Sequence, residues 1–329
     1  MKILVTGGAG YIGSHLADAL IAADHHVTVV DNLSTGQIIN IRHLFEHPRF
    51  RFVCDTILNA PLVDQLVGGA DTVYHLAATV GVKYVVENPL QCILTNVRGT
   101  EVVLEAAYRY WRRVVIASSS EVYGKSDKAP LSENDDSLLG PTAVGRWSYA
   151  LSKALDEHLA FAYHRHGLPV SVVRYFNSYG PRLDPRGYGS VVARFINQAL
   201  DGGPLTVYDD GRQTRCFTYV DDTIRGTLLA GALPQAEGKA FNIGNNRETS
   251  ILELAHMVRE AVNPDLKIDH VPYTQAYGAK FEETRRRVPD VRRAGDLLGF
   301  EAEISLEDGL RRTIGWFRKQ GNRRMTQES

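Results

Sequence analysis

A glycine-rich turn near the start of the chain constrains its fold more than any other stretch. The residues TGGAGYIGSHL (6–16) follow an apolar run, KILVTG (2–7), and lead into a stretch with helical periodicity. Gly7, Gly10 and Gly13 have the spacing GxxGxxG, which permits a tight turn and lets a pyrophosphate approach the backbone at a helix N-terminus. The order strand, glycine turn, helix therefore predicts a βαβ unit that binds a dinucleotide.

An acidic residue after the second apolar run indicates which dinucleotide is bound. Asp31 comes eighteen residues after Gly13, where a carboxylate can bind the ribose hydroxyls of NAD and repel the 2′-phosphate of NADP. Asp55 could contact the adenine amine or belong to an ordinary turn. Ala77 and Ala78, at the end of the fourth apolar run, have small side chains that either let the dinucleotide lie close or serve packing alone. The predicted NAD-binding residues are Gly7, Gly10, Tyr11, Ile12, Gly13, Asp31, Asn32, Asp55, Ala77, Ala78, Tyr149 and Lys153.

Strand and helix patterns alternate through the first half of the chain. Apolar runs typical of strands covered on both faces lie at 2–7, 26–31, 49–54, 70–78, 112–119 and 168–176, with helical patterns at 14–23 and 96–110. This alternation predicts an α/β fold with a Rossmann-type doubly wound parallel sheet. We expect the NAD-binding domain to span 1–176 and a smaller substrate-binding lobe to span 177–329, with 239–245 returning to the first sheet.

Composition and charge disfavour several classes of partner. The net charge is −1, with 44% hydrophobic and 23% charged residues, so no bulk field favours nucleic acid or an anionic membrane. The apolar runs are shorter than a bilayer span, and the chain opens directly with a core strand, so we expect a cytoplasmic protein without a signal peptide. The cysteines, Cys54, Cys92 and Cys216, lack metal-ligand spacing, which predicts reduced core thiols and no metal site.

The stretch YALSK (149–153) contains a candidate catalytic pair. Tyr149 and Lys153 are four residues apart and would share one face of a helix. A lysine ammonium lowers the pKa of a nearby phenol, and the tyrosine could then take a hydroxyl proton while hydride leaves the same carbon. A surface helix is the common reading of YxxxK alone, but the glycine turn and the hydroxyl-rich strand end SSSE (118–121) favour catalysis.

These motifs resemble those of the extended short-chain dehydrogenases/reductases that act on nucleotide sugars, a group of epimerases, dehydratases and decarboxylases. The resemblance covers nearly the whole chain and rests on TGGAGYIGSHL, HLAA, SSSEVYG, YALSK, RYFNSYGPR and RQTRCFTYVDD. It implies hydride chemistry at C4 of a sugar attached to a nucleoside diphosphate, with NAD held tightly and recycled. It also implies a homodimer that packs through the helices containing 96–110 and 149–164.

The resemblance assigns roles to the hydroxyl-rich strand end. It implies that Ser119 hydrogen-bonds the sugar 4-hydroxyl. UDP-glucuronate decarboxylases have a hydroxyl residue, a serine and a glutamate here, which matches Ser119, Ser120 and Glu121. The 4,6-dehydratases have an Asp-Glu pair at the last two of these positions, and the aspartate is missing. Ser118 and Ser120 could instead satisfy the strand end, and Glu121 could be a solvated carboxylate.

Arginines at two places bear on a carboxylated substrate. Arg146, three residues before the tyrosine of YALSK, stands at an offset where decarboxylases also have arginine. The stretch YGAKFEETRRRVPD (277–290) resembles one in which an arginine near the sugar carboxylate contributes to decarboxylation, and alignment on Pro289 favours Arg287, then Arg286. An arginine fork suits carboxylate or phosphate recognition, although a solvated basic turn is the alternative.

The resemblance also places the nucleotide in the second lobe. It implies that Asn177 meets the diphosphate, that Arg215 pairs a phosphate and that Tyr208 stacks on uracil. Two further substrate-binding candidates are Arg186, which could meet a sugar carboxylate, and Tyr277.

Together these residues predict NAD-dependent decarboxylation of UDP-glucuronate. Oxidation at C4 would be followed by loss of CO₂ to a UDP-pentose or its 4-keto form. The predicted catalytic residues are Ser119, Glu121, Tyr149, Lys153 and Arg287. The alternatives are a 4-epimerase of a UDP-hexose or UDP-glucuronate and, from another class, a non-catalytic NAD-binding regulator, against which the intact Ser119, Tyr149 and Lys153 argue.

Overall fold

The computed structural model describes residues 1–184, 190–277 and 284–327. The strands are β1 (Lys2–Thr6), β2 (His26–Val30), β3 (Phe50–Val53), β4 (Thr72–His75), β5 (Arg113–Ser119), β6 (Val170–Tyr175), β7 (Ser178–Tyr179), β8 (Leu205–Tyr208), β9 (Thr214–Cys216), β10 (Thr218–Tyr219), β11 (Ala240–Ile243), β12 (Glu248–Ser250) and β13 (Ile268–Val271). The helices are α1 (Tyr11–Ala22), α2 (Ala60–Gly68), α3 (Val82–Glu87), α4 (Pro89–Ile93), α5 (Gly99–Tyr110), α6 (Trp147–Arg165), α7 (Val191–Leu200), α8 (Val220–Ala232), α9 (Ile251–Val262), α10 (Tyr273–Tyr277), α11 (Arg292–Leu298) and α12 (Leu306–Gln327).

Seven of these strands form one parallel sheet in the order β11-β6-β5-β4-β1-β2-β3. The order runs outward in both directions from the middle, as in a doubly wound fold, so the predicted Rossmann-type architecture is confirmed. Each of the six apolar runs in the first half contains one of these strands, within two or three residues of its predicted bounds.

Helices cover both faces of the sheet, which explains why its strands are apolar throughout. Val114 and Ile116 of β5 face a core that α2, α5 and α6 complete. Val115, between them, faces the opposite core with α1 and α8. Because successive side chains of a strand point to opposite faces, such a strand is buried on both sides only if nearly every residue is apolar.

Helix α1 begins at Tyr11, three residues before the helical pattern predicted. Apolar spacing predicts a helix only where apolar residues recur, and the glycine-rich residues before position 14 lack that spacing. The predicted helix over 96–110 is α5, preceded by a π-helical turn at Leu94–Arg98.

Beyond residue 176 the chain forms smaller sheets and returns once to the large one. β8 pairs with β13 in parallel and β9 pairs with β12 in antiparallel orientation. β11 pairs in parallel with β6, so residues 240–243 form an edge of the large sheet. The division into lobes at residue 176 stays a prediction.

Two other features concern the predicted class of protein. Within the described ranges, no helix is both long and apolar enough to cross a bilayer. Cys92 and Cys216 are buried, but Cys54 is exposed. The prediction of a core thiol is wrong for Cys54, which follows β3, a strand at the edge of the sheet whose residues are only partly covered.

Candidate active site

A cavity of about 580 Å³ runs along the carboxyl ends of the sheet strands. In open α/β sheets this edge is where ligands bind, since the loops that leave the strands diverge there. The structure brings together most of the predicted site residues on the cavity wall: Gly7, Gly10, Tyr11, Ile12, Gly13, Asp31, Asn32, Asp55, Ala77, Ala78, Ser119, Ser120, Glu121, Arg146, Tyr149, Lys153, Asn177 and Arg287.

The glycine turn is shaped for close approach of the backbone. Gly7 has φ +71°, and a Cβ there would lie 2.7 Å from the backbone nitrogen of Ala77. A Cβ on Gly13 would lie 2.2 Å from the carbonyl oxygen of Gly7. No side chain caps α1 at Gly10, so the first N–H groups of the helix remain as donors for an anion. These positions require glycine, and the turn fits a pyrophosphate.

Asp31 lies at the end of β2 and is held in place by the backbone. Its carboxylate accepts N–H bonds from Ala9 at 3.0 Å and Leu33 at 2.8 Å. Burial raises the pKa of this carboxyl, and the N–H donors oppose that rise. A carboxylate oxygen accepts more than one hydrogen bond, so Asp31 can also bind ribose hydroxyls. The glycine turn and Asp31 together fit the adenosine and pyrophosphate part of a dinucleotide.

Asp55 also borders the cavity, but its oxygens serve its own turn. One accepts from the backbone N–H of Thr56 at 2.7 Å and the other from the side-chain amide of Asn59 at 3.0 Å. Both readings of Asp55, a contact to adenine and a strand-end turn, are compatible with this position.

Tyr149 and Lys153 lie one turn apart on α6 and both face the cavity. The Lys153 ammonium donates to Asp156 at 3.1 Å, and both side chains are almost fully buried. Tyr149 lies beside Ser119 at the cavity wall, and burial raises its pKa well above the ordinary value. The protein alone therefore does not show a lowered pKa of Tyr149, because burial dominates, and the contribution of Lys153 stays a prediction.

The neighbouring serines at the end of β5 have different partners. Ser119 lies beside Tyr149 at the cavity wall and accepts the N–H of Glu121 at 3.2 Å. Ser118 also borders the cavity, but its hydroxyl donates to Glu157 of α6 at 2.5 Å. Ser120 is buried at the cavity wall. The three serines thus share one wall, and Ser118 is the one bound to the interior carboxylate of Glu157.

Glu121 is held by two arginines from distant parts of the chain. Its carboxylate forms an ion pair with Arg287 and lies 3.8 Å from an Nη of Arg146. Burial alone would raise the pKa of Glu121, but the two guanidinium groups outweigh burial and lower it to about 2. Arg287 is only 3% exposed. The alternative of a solvated carboxylate is excluded, and this wall of the cavity carries two cations for one anion.

The structure separates the two neighbouring arginine candidates. Arg287 faces the cavity, whereas Arg286 donates two hydrogen bonds to Glu248, at 2.8 and 2.9 Å, with a 55% exposed side chain. Arg286 is absent from the cavity lining, so its prediction as a substrate-binding residue is not supported. The backbone of Arg285 accepts from Thr214, which fixes this segment so that consecutive side chains diverge.

The predicted nucleotide-binding residues are only partly at the cavity. Asn177 borders it and donates to the carbonyl of Cys216 at 3.2 Å. Tyr208 lies outside the lining, with the Arg194 guanidinium 4.2 Å from its ring centre and the Tyr273 ring tilted against it at 49°. Arg194 covers one face of the ring, and the stacking of Tyr208 on uracil stays a prediction.

Arg215 is also outside the lining, although its charge contributes to the low pKa of Glu121. Arg186 lies outside the described residues, and Tyr277 ends α10 without a described side chain.

Sequence reasoning missed several residues of the cavity wall that come from the loops and short helices after β4 and β6. They include Thr79, Val80, Tyr84, Thr95, Arg182 and Leu183. Only Arg182 stood within a quoted motif, RYFNSYGPR. The others lack a motif and reach the cavity because their loops leave the same sheet edge.

The chain matches a known protein family along most of its length. The sequence model of the GDP-mannose 4,6 dehydratase family matches residues 4–313. A UDP-N-acetyl-alpha-D-glucosaminuronate decarboxylase of Bacillus cytotoxicus is 44% identical over 321 residues, 98% of this chain and 99% of the relative. UDP-glucuronic acid decarboxylase 1 of Xenopus tropicalis is 38% identical over 97% of this chain and 72% of the relative.

Solved structures resemble the whole fold. The UDP-glucuronic acid 4-epimerase of Bacillus cereus, crystallised with UDP-glucuronic acid and NAD, superposes with a TM-score of 0.87 at 32% identity, over 97% of this chain and 100% of the other. The UDP-glucose 4-epimerase of Thermotoga maritima, crystallised with UDP-glucose, gives 0.88 at 33% identity, over 97% and 99%.

Proposed function

Given that the chain belongs to the GDP-mannose 4,6 dehydratase family of nucleotide-sugar enzymes, we propose that it is an NAD-dependent decarboxylase of a UDP-hexuronate. The observation that carries this proposal is the pair of buried arginines, Arg287 and Arg146, around Glu121 at the cavity wall. A guanidinium group binds a carboxylate through two parallel hydrogen bonds, so arginines at this wall suit the carboxylate of a uronate. UDP-glucuronate is the first substrate to test, and its 2-acetamido form is the second, because relatives that are decarboxylases act on each.

NAD is the cofactor of this enzyme. Gly7, Gly10 and Gly13 would receive the pyrophosphate, and Asp31 the adenosine ribose, where its charge disfavours a 2′-phosphate. When bound, NAD accepts hydride from the sugar C4 and later returns it, and its positively charged ring favours a phenolate at Tyr149. Two structurally similar epimerase and dehydratase crystals contain NAD, which supports the assignment.

Tyr149 takes the proton of the sugar 4-hydroxyl. Ser119, beside it at the cavity wall, supplies a second polar atom for the same hydroxyl. Burial raises the pKa of Tyr149 in the protein alone, so the phenol becomes an acceptor only when positive charge lies nearby. Lys153, also at the cavity wall, contributes part of this charge.

Oxidation at C4 prepares the sugar for loss of CO₂. The new ketone lies β to the C5 carboxylate, so the electrons of the breaking C5–C6 bond move into an enolate. Arg287 and Arg146 hold the carboxylate. Glu121, whose pKa is about 2, is ionised at neutral pH and orients the guanidinium of Arg287. Proton addition at C5 and hydride return at C4 then complete the UDP-pentose.

A 4-epimerase is the second candidate function. It is favoured by the fold similarity to 4-epimerases of UDP-glucuronic acid and UDP-glucose, and it shares the first oxidation step. Turning of the ketone before hydride return would invert C4 without loss of carbon.

Proton NMR of the purified protein with UDP-glucuronate and NAD, with CO₂ collected in parallel, distinguishes these functions. Release of CO₂ with conversion to pentose signals supports the proposal. A uronate product with inverted coupling at C4 and no CO₂ refutes decarboxylation and assigns the epimerase. The same run with the 2-acetamido substrate decides which uronate is preferred.

The predicted dimer helices, which contain 96–110 and 149–164, are α5 and α6. We propose a homodimer that uses α6 and, in place of α5, the segment 89–98 (α4 and the π-helical turn), which packs against α6. The outer surfaces of this segment and of α6 expose apolar side chains, between 40% and 69% exposed, at Leu90, Ile93, Leu94, Leu151 and Leu155. Groups of exposed apolar side chains on neighbouring helices usually mark an interaction surface.

A further inference from the structure

A buried charged network lies behind the cavity and takes no part in the steps above. Its centre is Glu157, one turn after Lys153 on α6. The carboxylate accepts the Ser118 hydroxyl at 2.5 Å and two bonds from Arg174 of β6, at 2.9 and 2.6 Å. Glu157 and Arg174 are 5% and 8% exposed, and neither borders the cavity.

The network continues to four other places in the chain. Arg174 donates from its third nitrogen, Nη1, to the Tyr123 hydroxyl at 2.9 Å, and Tyr123 donates to Asn242 of β11 at 2.7 Å. The side-chain amide of Asn242 donates to the carbonyls of Leu131 at 2.9 Å and Asp290 at 3.0 Å. A continuous chain of hydrogen bonds thus crosses the sheet edge beneath the site.

The network members stand close in sequence to the residues that act on the sugar. Ser118 precedes Ser119, Tyr123 follows Glu121 by two residues, and Glu157 follows Lys153 by four. Asp290 follows Arg287 by three. The network therefore joins the strand end, the catalytic helix and the arginine segment, which are otherwise distant along the chain.

A buried ion pair is a poor source of stability, because desolvation of the two charges offsets their attraction. Apolar side chains of similar size would hold the same elements together at least as well. Charged groups instead fix the relative orientation of the elements that carry them, because a bidentate arginine–carboxylate pair forms in one geometry only.

We propose that Glu157 and Arg174 are positioning residues for the reaction at C4. They fix the position of the end of β5, which carries Ser119 and Glu121, relative to α6, which carries Tyr149. The inference rests on the proposed function, because C4 must be approached twice, once for oxidation and once for hydride return after CO₂ has left. The sugar is smaller at the second approach, so the placement of Ser119 and Tyr149 then depends on the protein alone.

The expected signature is a loss of rate and a change of product. A displacement of about 1 Å can lower a rate about 100-fold, so we expect Glu157→Gln to lower kcat about 10- to 100-fold. KM for the UDP-hexuronate and the Kd for NAD should stay within about twofold, because the cavity wall is unchanged. Slower hydride return should raise the released fraction of 4-keto pentose. Arg174→Lys should recover more activity than Arg174→Met.

A serine pair provides a matched test that avoids unfolding. Ser118→Ala removes one hydrogen bond to the network. Ser171→Ala, in β6, removes the bond to the carbonyl of Ala230, 2.8 Å long, which leads away from the site. Both serines are buried in strands, so the two variants should lose similar free energies of unfolding. Only Ser118→Ala should lower kcat and raise the 4-keto fraction.

Three results would overturn the inference. The first is unchanged kcat and product ratio in both serine variants, which would make the network merely structural. The second is a raised KM with unchanged kcat in Ser118→Ala, which would mean direct contact with the ligand. The third is equal activity of Arg174→Lys and Arg174→Met. If the wild type inverts C4 and releases no CO₂, the proposed decarboxylation is refuted. The rate of C4 inversion in the same variants then tests the role of the network.

Discussion

Replacement of Arg287 by methionine tests the proposed recognition of a carboxylate most directly. The change keeps an unbranched apolar side chain about as long as the arginine stem and removes the guanidinium, which is buried and paired with Glu121. A hydrogen bond to a charged group contributes about 1.5–3 kcal/mol. We therefore expect kcat/KM for the UDP-hexuronate to fall about 10- to 150-fold in Arg287→Met.

The same change should alter the electrostatics of Glu121. Arg287 is the largest charge that opposes the effect of burial on its pKa, and Arg146 remains at 3.8 Å. The pKa of Glu121 should rise but the carboxyl should remain mostly ionised at neutral pH. The loss of activity would then arise from the missing guanidinium and not from protonation of Glu121.

The neighbouring arginine supplies the control. Arg286 forms an exposed pair with Glu248, and exposed pairs contribute about 0–1 kcal/mol to stability. Arg286→Met should therefore leave kcat/KM within about twofold. Calorimetric binding of UDP-glucose, which lacks the carboxylate, adds a second control, because Arg287→Met should weaken its binding far less than that of UDP-glucuronate.

Two results would refute the reasoning. Equal losses in the two arginine variants would mean that the charge of the segment, and not its position, matters. Equal weakening of UDP-glucose and UDP-glucuronate in Arg287→Met would mean that Arg287 binds the nucleotide part common to both ligands.

Four further predictions follow from the geometry. Tyr149→Phe should lower kcat about 10²- to 10⁴-fold with NAD binding retained in a fluorescence titration, and retained turnover would exclude Tyr149 as the proton acceptor. Glu121 has a pKa lowered from 4.5 to about 2, so its contribution to stability is complete above pH 4.5 and is lost as the pH falls toward 2. In urea unfolding, Glu121→Gln should lose the part of the pH dependence of stability between pH 4.5 and 2 that this carboxylate causes. The same pH dependence in the variant and the wild type would contradict the ion pair. Gly13→Ala places a Cβ 2.2 Å from a carbonyl oxygen of the turn and should weaken NAD binding at least about tenfold, a cost of about 1.4 kcal/mol. The control is Gly315→Ala, which has open space around the new Cβ and should not change NAD binding. Leu151→Asp should shift the protein toward monomers in sedimentation velocity, and an unchanged sedimentation coefficient would exclude this surface as the dimer contact.

The parts of the site that sequence reasoning predicted correctly depend on short-range patterns. The glycine turn, Asp31 after β2 and the i, i+4 pair on α6 are each defined by residues within about one supersecondary unit. Alternation of apolar strands and amphipathic helices was enough to predict the doubly wound sheet, because a parallel sheet must be covered on both faces. Parallel strands then bring their carboxyl ends to one edge, which is why so many predicted residues meet at one cavity.

The sequence by itself therefore determined the class of fold, the dinucleotide turn and the place of the catalytic pair. Tertiary structure alone decided that Arg287 and not Arg286 faces the cavity, that Glu121 is ionised between two arginines, and that the Ser118 hydroxyl is bound by Glu157. It also placed Tyr208 against Arg194 and raised the pKa of Tyr149. Burial and charge at a site are sums over neighbours from distant parts of the chain, such as positions 121 and 287. Local patterns carry no information on those neighbours until the chain is folded.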